Sequence, residues 1–182
     1  LPLPSIRHVE VLLPLEELNH ITIVDTPGLN SLLPEHEEVA REFLLQADGI
    51  IWLFDGGQPG KASEEEALAI LEGMGRKALG VLNKADLLSP RDQRAVLDRL
   101  HDLFARSVVE VIPFSARQAL KGHEGEPALI EESGLPRLQK ALRRHFLDQR
   151  SRLKATMSLT RVQAILQTAL EREGPLGDGL LR

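Results

Sequence analysis

The chain has 182 residues, 42% of them hydrophobic and 27% charged, which is enough length and apolar content to bury one core with an appendage, and excludes a disordered chain. It contains no cysteine, so a disulfide framework and a thiolate metal site are both excluded, and a reducing cytosol is favoured. The net charge of −5 is unevenly spread: residues 137–182 carry ten Lys and Arg against four Asp and Glu, so a basic tail follows an acidic body.

Apolar runs alternate with helical stretches, the pattern of a sheet with crossover helices. "IRHVEVLL" (6–13) and "HITIVD" (20–25), joined by the short link "PLEELN", are expected to be neighbouring antiparallel strands. Pro34 followed by Glu35, Glu37 and Glu38 places acid in a first helical turn, where the helix dipole favours it, and predicts a helix to about Ala47. "GIIWLFD" (49–55), "ALGVLN" (78–83) and "VVEVIPF" (108–114) are continuous apolar runs, as parallel strands buried on both faces require. Trp52 inside the first of these is expected to be core.

Between those strands, "SEEE" (63–66) predicts a helix capped by Ser63 with Glu66 reaching back, and "SPRD" (89–92) one capped by Ser89 with Pro90 at its first position. Val96, Leu97, Leu100 and Phe104 form the apolar stripe of the second. From Pro136 the pattern stays helical to Glu173, with room for a bend near "DQRS" (148–151), and stops at Gly174-Pro175, a length of about 55 Å that would protrude from a small domain. Met157, Val162, Ile165, Leu166, Ala169 and Leu170 share one face of its distal half, suited to a bundle with helices not present in the chain or, as the alternative, to folding back on the body. Arg143, Arg144, Arg150, Arg152 and Lys154 are expected to be a solvated face, with contact to anionic lipid, RNA or the acidic body as the alternative; the lack of interleaved aromatic residues weighs against RNA. No apolar run reaches about 18 residues and no cationic-then-apolar leader opens the chain, so neither a spanning helix nor a signal segment is expected.

Three short stretches carry chemistry. Asp25-Thr26-Pro27-Gly28 falls where an apolar run ends, the place where open α/β sheets bind ligands. There Asp25 can hold Mg²⁺ through a water, and Gly28 lets a backbone N–H approach a terminal phosphate; alone the stretch could equally be a turn. Asn83-Lys84-Ala85-Asp86 ends another run: the Asp86 carboxylate can accept guanine N1–H and N2–H₂ together, a donor pair that adenine lacks, while Asn83 offers amide contacts. Read by itself, this too could be an Asn/Asp turn with a solvated Lys84. Ser115-Ala116-Arg117 follows the last run, where small Ala116 lets its N–H reach a base carbonyl and Ser115 can brace the loop.

Taken together and in this order, the three stretches resemble the P-loop GTPases of the translation-factor-related class over residues 6 to about 147. "DTPGLNS", the acidic helix after it, "ADGIIWLFDG" and the long basic helix are most similar to the bacterial dynamin-like proteins, relatives of mitofusins. The resemblance implies an α/β fold with a mostly parallel sheet and helices on both faces, lacking its first strand and followed by a long protruding C-terminal helix. It implies residues 1–147 as a partial GTPase domain and 148–182 as the start of a helical bundle. GTP or GDP with Mg²⁺ would be the ligands, contacted by Asp25, Thr26, Pro27, Gly28, Asn83, Lys84, Asp86, Ser115 and Ala116. The catalytic pair would be Asp25 and Gly28, with Lys84 on the base plane or ribose.

Leu29 stands where many GTPases place a water-orienting glutamine, so the resemblance implies help from self-association across the nucleotide face. It also implies nucleotide-driven membrane remodelling by a cytoplasmic protein that can sit peripherally on the inner membrane. The rival readings are an Era-like ribosome-assembly GTPase and a non-catalytic GTPase-like scaffold.

One part of the pattern is missing. The phosphate cradle G-x-x-x-x-G-K-[ST] occurs nowhere: "GGQPGK" (56–61) spaces its glycines one residue short and is followed by Ala62, and "GMGRKALG" (73–80) fails too. The expectation is an amino-terminally truncated GTPase domain that does not bind or hydrolyse GTP appreciably alone, because the cradle supplies the charge-assisted phosphate contacts.

Overall fold

The computed structural model describes residues 9–14, 21–26 and 43–148, which fall in two units, residues 1–47 and residues 48–182. In the first unit, residues 9–14 and 21–26 form no strand, contrary to expectation. Their apolar side chains face solvent, Leu12 being 85% and Ile23 77% exposed. Apolar alternation supplies only half of what a strand needs. Its N–H and C=O groups must also pair with a neighbouring edge, and no such ladder exists for these segments among the described residues. Phe43–Gln46 is helical and ends at Ala47, whose N–H bonds to the Phe43 carbonyl at 2.8 Å, in agreement with the expected end of the acidic helix.

The second unit is built on three parallel strands in the order β1 (Ile51–Asp55), β2 (Ala78–Asn83) and β3 (Val108–Pro113). Each pair is joined by a helix, α1 (Ala62–Gly73) between the first two and α2 (Pro90–Phe104) between the last two. Residues 78–82 of β2 are all buried, as expected of a central strand covered on both faces. Phe54, Leu68, Leu71, Leu79, Leu82 and Leu100 are essentially inaccessible and form the core, each contributing roughly 1.5–3 kcal/mol relative to exposure. The rings of Phe54 on β1 and Phe104 at the end of α2 stack at 5.5 Å. Trp52 is only half-buried, and its indole nitrogen is shielded without a hydrogen-bond partner among the described residues. This is the mostly parallel α/β arrangement that the sequence implied.

The helix starts differ in how well they were anticipated. Ser89 caps α2, its hydroxyl accepting the Asp92 N–H at 3.2 Å, with Pro90 at the first position. In α1 the cap lies at Lys61 rather than Ser63, and Glu64 rather than Glu66 reaches back, accepting the N–H groups of Gly60 at 2.8 Å and Lys61 at 3.0 Å. Gly60 has φ of +75°, a left-handed turn that starts the helix two residues earlier than the acidic run suggests.

After β3 the chain forms α3 (Ala116–Glu124), α4 (Ala128–Glu132) and α5 (Leu135–Leu142), then a π-helical turn at Arg143–Leu147. The sequence places one helix from Pro136 with a bend near "DQRS" (148–151); the helical path does start at Leu135, and the π turn falls just before that point. The widened turn directs Arg144 and His145 to the same oxygen of Glu110 on β3, and brings the Phe146 ring against Gly49 so closely that a Cβ there would lie 2.6 Å from it. Residues 149–182, and with them most of the expected long helix, lie outside the described residues.

Candidate nucleotide-base site

Because β1, β2 and β3 run parallel, Asp55, Asn83 and the segment entering Ser115 leave the same edge of the sheet side by side. The loops meet there. Gly56 donates its N–H to the Asn83 carbonyl at 2.8 Å, and a Cβ on Gly56 would come within 2.8 Å of that oxygen and 3.0 Å of the Lys84 carbonyl. Only glycine permits this approach.

Asn83 is the joint between two loops. Its Oδ1 accepts the N–H of Lys84 at 2.8 Å and that of Ala116 at 3.1 Å. Phe114 donates to the Leu82 carbonyl at 2.9 Å and Ala85 to the Phe114 carbonyl at 3.0 Å, so the two segments are laced together by backbone as well. Lys84 takes up the resulting tight turn with φ of +60°, the one positive value for a non-glycine residue among those described.

The lysine side chain turns toward β1 and bonds the Asp55 carboxylate at 2.7 Å, while the other oxygen of Asp55 accepts the Gly57 N–H at 2.8 Å. These two bonds, Lys84 first, hold the Asp55 carboxyl below the usual carboxylate range.

Asp86 is set lower in the site, with only 6% of its side chain exposed. Its carboxylate is bonded by the Ser115 hydroxyl and by Arg117, whose Nη2 lies 2.7 Å from Oδ2. The Ser115 bond first, then Arg117, keep its acidity high against the opposing effect of burial.

Ser115 is 1% exposed and does three things: it bonds Asp86, caps α3 by accepting the Gln118 N–H at 3.2 Å, and donates its own N–H to the Ser133 carbonyl at 2.8 Å. A cavity of about 380 Å³ opens beside these residues, lined by Asp86, Ser115, Gln118 and Ser133 among others.

The structure thus gathers Asn83, Lys84, Asp86, Ser115 and Ala116 at one edge, as the sequence expected. Asp25 and Thr26 belong to the other unit and are exposed. Pro27, Gly28 and Leu29 lie outside the described residues. Asp55 and Gly56 escaped the sequence reading as site residues. The signal was there: Asp55 ends an apolar run and precedes two glycines, as Asn83 ends the neighbouring strand.

Comparison with known proteins places these features in a family. The dynamin family matches residues 6–85. Dynamin-like protein 2 of Campylobacter jejuni is 35% identical over 115 residues, covering 62% of this chain and 19% of that protein. Dynamin-like protein 1 of the same organism is 33% identical over 153 residues, covering 75% and 21%. The probable transmembrane GTPase FZO-like, chloroplastic, of Arabidopsis thaliana is 30% identical over 130 residues, covering 68% and 14%. The chain spans less than half the length of the curated relatives it matches. With its parallel β/α units and the N-K-x-D stretch at the end of β2, the chain belongs to the dynamin superfamily.

Proposed function

We propose that this chain is the guanine-recognising part of a dynamin-like GTPase whose phosphate cradle is not among residues 1–182. The observation that carries this is Asn83, which ties the loop of Asp86 to the loop of Ser115 and Ala116, and so brings the Asp86 carboxylate and the start of α3 together at one edge. Asp86 would accept the N1–H and N2–H₂ donors of guanine, and the Ala116 N–H would turn from Asn83 Oδ1, which it bonds in the structure, to donate toward the base carbonyl. Lys84 would lie along the base or ribose. A base without the paired donors would leave the carboxylate under-satisfied, which is the source of selectivity.

Asp25 and Gly28 would serve the phosphate end, Asp25 offering a carboxylate to Mg²⁺ through water, with Thr26 and Pro27 shaping the turn. Bound GTP would supply the phosphoanhydride bond whose hydrolysis drives the cycle. Leu29 has no group with which to orient water, which favours a partner copy completing the site across the nucleotide face. In the longer protein this reading extends to nucleotide-driven self-assembly and membrane remodelling, by a cytoplasmic protein that engages the membrane peripherally.

The test is a titration of the isotope-labelled chain with guanosine and with adenosine, followed by backbone NMR. Guanosine is expected to shift residues 83–86 and 114–117 at millimolar concentration, and Asp86→Asn to abolish the preference. Equal responses to both nucleosides would refute the base-reading role. For GTP itself, calorimetry is expected to show no micromolar binding by residues 1–182; guanine-specific micromolar affinity would show that the cradle is dispensable.

A further inference from the structure

Arg117 lies on the first turn of α3, and its guanidinium reaches across to Asp86, 31 positions earlier in the chain. The two side chains differ sharply in exposure, 69% for Arg117 against 6% for Asp86. A nearly buried carboxylate is therefore covered by a side chain that is itself mostly in water. The guanidinium group is planar and carries N–H donors in a fixed fork, the same donor class that guanine presents through N1–H and N2–H₂. The carboxylate oxygen that the arginine occupies is one that the base would need.

We propose that Arg117 is a built-in stand-in for guanine, satisfying Asp86 while the site is empty and giving it up when the base enters. The proposal rests on the base-reading role of Asp86 argued above. Its physical basis is the cost of leaving a buried carboxylate unpaired, which the empty site avoids by using its own arginine. The exchange leaves Ser115 in place beside Asp86, anchored by its N–H to the Ser133 carbonyl at 2.8 Å, while one partner of the carboxylate replaces the other. Arg117 can leave without disturbing the core, because it stands at a helix start with most of its surface already solvated. The consequence is that guanine binds by exchange rather than by filling a vacant acceptor, and Arg117 lowers the affinity of the site.

The experiment compares guanosine binding to the chain and to its Arg117→Ala and Arg117→Lys variants by NMR titration, with adenosine as control. Removing the guanidinium is expected to tighten guanosine binding by about three- to tenfold, the range left for a charge-assisted bond after discounting for solvent exposure. Arg117→Lys is expected to fall between, having charge without the fork. In Arg117→Ala, guanidinium ion at sub-denaturing concentration is expected to compete with guanosine and restore the weaker binding, while having little effect on the unsubstituted chain.

Unchanged or weaker guanosine binding in Arg117→Ala, with the guanine preference intact, would overturn the stand-in role and leave the base reader standing. Loss of guanine preference in all three proteins would overturn the base reader, and with it the stand-in. Circular dichroism on each variant distinguishes a local change from a folding defect, and Arg117→Lys carries the comparison where the alanine variant is unfolded.

Discussion

The side-chain oxygen of Asn83 accepts the backbone N–H of Ala116 at 3.1 Å, so the end of one parallel strand fixes the start of the helix that follows its neighbour. The same oxygen holds the Lys84 N–H at 2.8 Å. One amide thus sets the geometry of both loops at this edge of the sheet. Asn83→Ala is expected to cost about 1–2 kcal/mol for two lost bonds. Urea denaturation measures the loss, and faster amide exchange at Ala116 would locate it. Unchanged exchange at Ala116 would mean that the backbone bonds alone hold the loop.

Gly56 tests the close approach of the first two strand ends. A Cβ there meets the Asn83 and Lys84 carbonyls at 2.8 and 3.0 Å, both backbone atoms that cannot rotate away. Gly56→Ala is expected to destabilise by roughly 1–3 kcal/mol, as overpacking does. A thermal melt no lower than that of the parent chain would show that the loops can separate without penalty.

Ser115 is buried and links the Asp86 carboxylate to the first turn of α3. Ser115→Ala removes a helix cap and one of the bonds to the carboxylate, and is expected to cost about 1–2 kcal/mol. It is also expected to raise the Asp86 carboxyl toward its ordinary value, because the Ser115 bond is the largest of the influences lowering it. Carboxyl-carbon NMR titration reads that shift, and an unmoved midpoint would assign the effect to Arg117 instead.

Glu110 on β3 gives a pH dependence. Burial acts to raise its carboxyl, but the bonds to Arg144 and His145, the latter at 2.7 Å, outweigh it and leave Glu110 below its usual range. A carboxyl depressed in the folded state stabilises above its unfolded value, and that contribution is lost as the pH falls through the folded value. The turn at 143–147 is therefore expected to hold near neutrality and to loosen in acid below the ordinary glutamate range. Hydrogen exchange of residues 143–148 across that range is the measurement. Glu110→Gln should show the acid-state exchange already at neutral pH, and a variant that remains protected would rule out this anchor.

Local sequence decided a good deal. Residues 78–83 are apolar without alternation, and a strand with that pattern has to be covered on both faces wherever it sits. Ser89-Pro90 could only begin a helix, since the proline fixes φ and needs no partner for the N–H it lacks. Asn83, Asp86 and Ser115 were legible because Asn83 closes one apolar run, Asp86 stands three residues beyond it and Ser115 follows the next, so their shared edge followed once the strands were taken as parallel.

Other features depended on groups far apart in the chain. Residues 9–14 and 21–26 have the composition of strands, but a strand exists only where another edge accepts its hydrogen bonds. The start of α1 moved to Lys61 because Glu64 found the N–H groups of a left-handed turn, which no residue preference at Ser63 announces. The π turn at 143–147 is imposed by Glu110 and Gly49, distant partners that a helical periodicity does not contain. The bonds of Lys84 to Asp55 and of Arg117 to Asp86 join residues about thirty positions apart. Sequence supplied the chemical groups because side-chain identity and strand periodicity are local. Only the tertiary structure decided which donor each carboxylate holds, because that is settled by distances between strand ends that the sheet brings together.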